Sequence, residues 1–175
     1  MKLRALLHEM MLRFRHARDF PLSLLRGDSR PVGRLYAKVI RMDGESVDLG
    51  LISTKLVTTA GVDWIAALYV GTNTATGKYH QSGTGTTAPA ITDTALQTAI
   101  AGVATSSLSA TGNVVTTVGT VTYSGTFAVT EWGLFTGATG SGTDTLIDRA
   151  TFSAINVVST DSIQFTFTLT FPTGG

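Results

Sequence analysis

Cysteine is absent from this chain of 175 residues. Its absence rules out disulfide frameworks, thiolate nucleophiles and cysteine-based zinc sites. Charged residues are also scarce, at 14% of the chain, and no apolar run approaches the roughly 18 residues that a membrane-spanning helix needs. Because 43% of the residues are hydrophobic, the chain is too apolar for disorder. We therefore expect one packed domain with an appendage, and no membrane partner.

The few charges are unevenly distributed. Residues 1–42 contain ten Lys/Arg and three Asp/Glu, a net charge of +7, whereas residues 43–175 contain three and nine, a net charge of −6. All thirty threonines follow Ser53. These shifts divide the chain into a basic helical arm and loop, residues 1–34, and a β-rich body, residues 35–175. The asymmetry predicts that the arm contacts an acidic surface of protein, nucleic acid or a neighbouring copy.

The arm has the pattern of an amphipathic helix of about four turns, because its apolar residues recur every three or four positions. The helix should end near Asp19, since Pro21 lacks a backbone donor and restricts the preceding residue. A nucleic-acid-binding arm would carry denser positive charge with interleaved aromatic residues. A membrane-binding arm would carry more aromatic anchors than the single Phe14. We therefore expect neither partner. We predict instead that the arm docks on a protein partner through Leu3, Leu6, Leu7, Met10, Met11, Phe14, Arg4, Arg13, Arg15 and Arg18.

The body carries the patterns of antiparallel strands. Residues 162–171 alternate strictly between apolar and polar side chains, which predicts a half-buried strand. Residues 121–134 repeat the alternation until Thr130 and Glu131, where the apolar phase shifts by one residue, as at a β-bulge. Residues 35–42 and 47–58 predict a hairpin around Asp43 and Gly44, and residues 146–155 predict a further strand.

Two short helices are predicted between the strands. Residues 59–70 have Thr58 or Thr59 as N-cap and Gly71 as terminator, and the second helix begins at Thr92 or Asp93 and runs to Ile100. The first should be buried through one face, formed by Val62, Ile65, Ala66 and Tyr69. The fold class is therefore mainly β: an antiparallel β-sandwich or jelly-roll-like body with an N-terminal amphipathic helical arm and one or two short helices.

Catalytic and metal-binding patterns are weak. His80 stands alone in a Gly/Thr segment, so an exposed or interface-packing strand residue is a better interpretation than a catalytic base. Glu131, Asp144 and Asp148 are scattered and meet only if the strands bring them together, which leaves a weak cation site as an alternative. Residues 82–87 lack the Lys-Ser/Thr ending of a phosphate-binding loop. We expect no enzymatic activity, no cofactor and no metal.

Six body segments follow one another in order: residues 48–62 (DLGLISTKLVTTAGV), 79–89 (YHQSGTGTTAP), 92–96 (TDTAL), 130–135 (TEWGLF), 146–152 (LIDRATF) and the alternating C-terminal strand. Taken together, they resemble a family of structural proteins of tailed bacteriophages. The resemblance spans about residues 47–175 and excludes the arm. It implies a non-enzymatic virion component with a β-sandwich-like body, assembled in the bacterial host cytoplasm with other virion proteins and with copies of itself.

The position on the particle stays open between alternatives. Low charge leaves edge strands poorly protected against association, which suits a subunit buried in an assembly. A capsid decoration or cement protein bound to the major capsid protein is the first hypothesis, and a neck, tail or fibre-base subunit the second. A carbohydrate-binding module is the third, with Trp64, Tyr69, Tyr79 and Trp132 as stacking candidates whose interpretation as core residues is favoured.

Overall fold

The computed structural model describes residues 31–105, 107–140 and 144–172. Within them, nine strands form two antiparallel sheets of five and four strands, in the orders β2-β1-β9-β6-β5 and β4-β3-β7-β8. The elements are β1 (Val32–Ile40), β2 (Ser46–Leu56), α1 (Thr59–Tyr69), β3 (Tyr79–Gly83), β4 (Ala99–Thr105), β5 (Ser107–Thr111), β6 (Val114–Thr122), β7 (Phe127–Phe135), β8 (Leu146–Val157) and β9 (Ser162–Thr170). The prediction of a mainly β body is confirmed.

The two sheets share one apolar core. Trp132 of β7 has no exposed surface and packs against Phe165 and Phe167 of β9, with ring centroids 6.3 and 5.2 Å away. Alternate residues of β1 and β9 are buried, so one face of the five-stranded sheet meets the four-stranded sheet. This sandwich-like packing buries the apolar half of the alternating pattern read from residues 162–171.

Three local predictions are confirmed. β1 and β2 form the expected hairpin, whose turn contains Gly44 at a φ of +88° that favours glycine. The register of β7 on β8 shifts between Val129 and Glu131, at the predicted bulge. α1 has Thr58 as its N-cap, whose hydroxyl accepts from the amide of Gly61 at 3.0 Å. β1 begins at Val32, inside the segment assigned to the arm and loop.

The predicted buried face of α1 is wrong except at Ile65, which is partly buried against the core. Val62 is 46% exposed and Tyr69 is 93% exposed. The helix instead turns Gly61 toward β8, where an added Cβ would collide with the backbone of Ile147. Only glycine permits that approach, so its position decides which side of the helix faces the body.

The second predicted helix, from Thr92 to Ile100, is also wrong. The segment forms turns and bends, and β4 begins at Ala99. The carboxylate of Asp93 accepts from the amide of Ala90 at 2.8 Å, so it closes a turn that precedes it and does not cap a following helix. The amides of Gln97 and Thr98 are bound by Glu131, which removes them from helical hydrogen bonding.

Residues 121–134 belong to two strands in different sheets. β6 ends at Thr122 in the five-stranded sheet, and β7 begins at Phe127 in the four-stranded sheet. The connection is held by Tyr123, whose amide donates to the carbonyl of Asp161 and whose carbonyl accepts from Thr160. Both strands keep the apolar alternation, so the pattern alone did not reveal the change of sheet. The predicted arm helix and its docking residues, from Leu3 to Arg18, lie outside the described residues.

Candidate functional site

His80 lies in the core between the sheets with no exposed surface. The indole N–H of Trp132 donates to its Nδ1 at 3.1 Å, and because that indole nitrogen can only donate, Nδ1 carries no proton. The proton is therefore on Nε2, which donates to the hydroxyl of Thr117 at 3.0 Å. Burial lowers the pKa of His80 to about 3, so the ring is neutral near pH 7. The prediction that His80 is an exposed or interface residue is wrong, since it joins the sheets from inside.

A second uncharged contact crosses the core beside His80. The hydroxyl of Tyr123, just after β6, donates to the hydroxyl of Ser82 on β3 at 3.0 Å. Burial raises the pKa of Tyr123 to about 12, although the bond to Ser82 opposes that shift. Gly119 leaves room for the imidazole, because a Cβ there would lie 2.8 Å from a ring carbon of His80. These groups bind one another between the sheets, which is a structural role.

Glu131 anchors a charged cluster on the outer face of the four-stranded sheet. It neighbours the inward-facing Trp132, so its side chain points away from the core. The carboxylate has no exposed surface, yet it accepts from the amides of Gly85, Gln97 and Thr98 at 3.2, 2.7 and 3.1 Å. A buried carboxylate is stable only when its oxygens are bound in this way. Glu131 therefore fastens the two ends of the segment 85–98 to β7.

Arg149 of β8 completes this cluster. Its Nε and Nη2 bind Oε1 of Glu131 at 2.7 and 2.6 Å, and its Nη1 binds Asp93 at 2.9 Å. Its Nη2 also donates to the carbonyl of Thr87 at 3.2 Å. Burial alone would lower the pKa of Arg149, but the bonds to Glu131 and Asp93 outweigh it and raise that pKa. We call Glu131, Arg149, Asp93 and the segment 85–98 the covered face.

Glu131, Asp144 and Asp148, the three acids considered for a weak cation site, do not lie together. Glu131 binds Arg149, whereas Asp144 binds the amides of Thr139 and Gly140 in the loop before β8, at 2.9 and 3.0 Å. The hydrogen bond from the hydroxyl of Thr139 is the main cause that lowers the pKa of Asp144. Asp148 is buried and lies against Gly33 of β1. Within the described ranges, no three His, Cys, Asp or Glu side chains are grouped as metal ligands.

The four aromatic residues considered for sugar stacking are dispersed. Trp132 belongs to the core, as the favoured interpretation held. Tyr79 is partly buried, with the ammonium of Lys78 5.9 Å from its ring centroid. Trp64 and Tyr69 both lie on α1 and line one groove. A flat sugar-binding platform of the four is therefore not formed.

That groove is apolar and encloses about 510 Å³ between α1 and the inner face of the five-stranded sheet. Six of the side chains that line it are Trp64, Leu68, Leu108, Val115, Leu169 and Phe171. Leu108 is 47% exposed. The indole nitrogen of Trp64 is buried and has no acceptor among the described residues. We call this feature the helix groove.

The exposed residues on the edge strands of the five-stranded sheet are mostly apolar or uncharged, and Asp48 is the one charged residue among β5 and residues 46–51 of β2. All five residues of β5 are exposed and none is charged. On β2, Val47, Leu49 and Leu51 are 43%, 39% and 48% exposed. Charge and burial normally protect such edges from pairing with other chains. We call β5 and residues 46–51 of β2 the open edges.

Sequence reasoning missed the charged cluster and the helix groove. The cluster had a signal in composition, because Arg149 is one of only three basic residues after position 42 and a low-charge body rarely carries a charge without a partner. The groove had a weaker signal: Trp64 and Leu68 have helical spacing on a different side of the helix from the face that we predicted to be buried.

No family model, curated protein or solved structure was found to match this chain. Function therefore has to be argued from the residues and surfaces described above. No helix among the described residues is both long and apolar enough to cross a membrane.

Proposed function

We propose that this chain is a structural protein of a bacteriophage virion, a capsid decoration or cement protein that docks through its basic N-terminal arm and stabilises the particle. The observation that carries the proposal is the pair of open edges. Unprotected edges with exposed apolar side chains suit a subunit whose edges are covered in an assembly. The partners are the major capsid protein and further copies of this chain.

The covered face brings together several of the segments that resemble tailed-phage structural proteins. Four of the segments that carry the resemblance, 79–89, 92–96, 130–135 and 146–152, contribute Gly85, Thr87, Asp93, Glu131 and Arg149 to one bonded cluster. These segments therefore form one structural unit of this chain.

The arm supplies the docking chemistry in this proposal. Its apolar stripe provides burial and its arginines provide orientation on an acidic neighbour. The full chain is expected to co-sediment with purified particles that lack it. Replacing Arg4, Arg13, Arg15 and Arg18 by Gln should weaken binding at least about tenfold, a loss of ~1.4 kcal/mol.

A matched control removes the same charge from positions that lie after the start of β1 at Val32. Replacing Arg34, Lys38, Lys55 and Lys78 by Gln should leave particle binding within about twofold of the native chain, since a twofold change is well below 1 kcal/mol. If the full chain does not sediment with the particles, the proposal is wrong. If both quadruple variants bind equally weakly, net charge and not the arm governs docking.

The alternative within the same class is a subunit of the neck, tail or fibre base, where only a few copies join larger components. The open edges suit a ring or trimer as well as a shell, so copy number has to separate these positions. Carbohydrate binding has less support, because Trp132 is a core residue. Tyr69 is the exposed aromatic residue on which carbohydrate binding can be tested. Glycan binding that is lost in Tyr69→Ala would favour a carbohydrate-binding function over a role in assembly.

A further inference from the structure

The helix groove is an apolar surface that the described residues leave open. Its rim includes Tyr69, 93% exposed, and Leu108, 47% exposed. A volume of about 510 Å³ lies within the range of pockets that bury a ligand or a few anchoring side chains. An apolar groove of this kind is stabilised when a complementary apolar surface fills it.

The N-terminal segment enters the body beside this groove. Val32, the first residue of β1, pairs with Thr170, and Gly33 pairs with Leu169. Leu169 and Phe171 both line the groove. The backbone therefore enters β1 next to the groove, at the same end of the sheet.

The segment has the chemistry to fill the groove. Leu3, Leu7, Met10 and Phe14 have the spacing of a helix that inserts one apolar face into a groove. Seventeen residues separate Phe14 from Val32, and at about 3.3 Å per extended residue they are long enough to let the helix fold back.

Charge and tethering favour the same molecule as the host of this helix. Residues 1–42 carry +7 and residues 43–175 carry −6, and Asp63 is exposed on α1 next to Trp64. A short tether gives a local concentration in the millimolar range, far above that of a second copy in dilute solution. Intramolecular binding therefore precedes exchange between molecules.

We propose that, in the free subunit, the arm folds back and places Leu3, Leu7, Met10 and Phe14 in the helix groove of its own body. The groove then covers the apolar stripe until a partner competes for it. This inference concerns the isolated chain and does not depend on the assignment to a virion, so either can fail without the other.

The absence of cysteine allows a direct test by disulfide trapping in the full chain. Met11→Cys places a thiol on the stripe, and Tyr69→Cys places its partner at the exposed rim of the groove. Mild oxidation should give a cross-linked species of monomer mass on a non-reducing gel, with the 11–69 link identified by mass spectrometry.

The control pairs Met11→Cys with Glu45→Cys. Glu45 is exposed in the β1–β2 turn, about 27 Å along β1 from Val32 at ~3.4 Å per residue. The same tether reaches both thiols, but the local concentration at each thiol depends on its distance from Val32. Docking predicts that the 11–69 link forms at least about fivefold faster, equivalent to ~1 kcal/mol, and that this advantage depends on the groove residue Leu108.

A second pair of variants tests the groove itself. In the 11–69 protein, Leu108→Lys should slow cross-linking at least about fivefold, because it places a positive charge in the groove facing a basic helix. Val158→Lys, at a position that is 52% exposed and does not line the groove, should not change the rate. Cross-links of dimer mass would show that a second copy fills the groove, and equal rates for the 11–69 and 11–45 pairs would show that nothing docks there; either result overturns the proposal.

Discussion

The covered face and the open edges differ in which side chains are buried and which are exposed to solvent. On the covered face, charged side chains are buried under a loop: Glu131 has no exposed surface and Arg149 is 3% exposed. At the open edges, apolar side chains such as Leu51 are about half exposed, at 48%. Buried charges and exposed apolar groups are both unfavourable unless they are paired or covered.

The difference indicates what each region is for. The charges of the covered face find all their partners within the chain, so their substitution should cost stability. The apolar side chains of the open edges find no cover within the described residues, so their substitution should cost association and leave the fold almost unchanged. Three predictions follow this contrast from the largest effect to the smallest.

Glu131→Ala should reduce the free energy of unfolding by about 3–5 kcal/mol, because it leaves Arg149 buried without its main partner. The measurement is chemical denaturation of the full chain at pH 7. Hydrogen exchange should also accelerate at the amides of Gly85, Gln97 and Thr98, which bind this carboxylate.

Glu45→Ala is the matched control, since Glu45 is exposed in the β1–β2 turn and should change stability by less than about 0.5 kcal/mol. A loss below about 1 kcal/mol for Glu131→Ala would show that the segment 85–98 does not depend on the carboxylate.

His80 extends the contrast to a buried polar group that carries no charge. Its pKa is lowered from 6.5 to about 3 in the folded chain. Between these values the unfolded chain binds the extra proton, so stability falls as pH decreases through 6.5. The slope is at most ~1.4 kcal/mol per pH unit, which gives about 2–3 kcal/mol lost between pH 6.5 and 4.5.

Denaturation at several pH values, compared with His80→Gln, measures this loss. The amide of Gln can accept from Trp132 and donate to Thr117 without titrating, so the variant should lose most of the pH dependence in that window. The lowered pKa values of Asp144 and Asp161 affect stability only at more acidic pH. An unchanged slope in His80→Gln would contradict the assignment.

Leu51→Lys should have the smallest effect on the fold, within about 0.5 kcal/mol, because the residue is half exposed on an edge strand. It should nevertheless weaken particle binding by about tenfold, since a charge protects an edge from pairing. Thr120→Lys adds the same charge to an exposed site on the interior strand β6 and should bind normally. Equal particle binding by both variants would show that β2 is not part of the interface with the particle.

The hydrophobic periodicity correctly predicted the strands and turns that depend on local sequence. The alternation of residues 162–171 predicted β9, Asp43 and Gly44 predicted the hairpin, and the phase shift at Glu131 predicted the bulge. Each signal is a repeat or turn preference within a few residues of the chain.

The failed predictions depended on contacts distant in sequence. The segment after Thr92 is not helical, because Glu131, more than thirty positions away, binds the amides of Gln97 and Thr98. The outward turn of Tyr69 depends on the approach of Gly61 to Ile147. Tertiary partners of this kind override local preference, and a single sequence does not display them.

The central claim, that this chain is a structural part of a virion, is tested most directly by its copy number in purified particles. Quantitative mass spectrometry against the major shell protein gives that number. A copy number near that of the shell protein itself is the expected result, as decoration requires. A few copies per particle would move the chain to the neck, tail or fibre base, and its absence from particles would contradict the structural role.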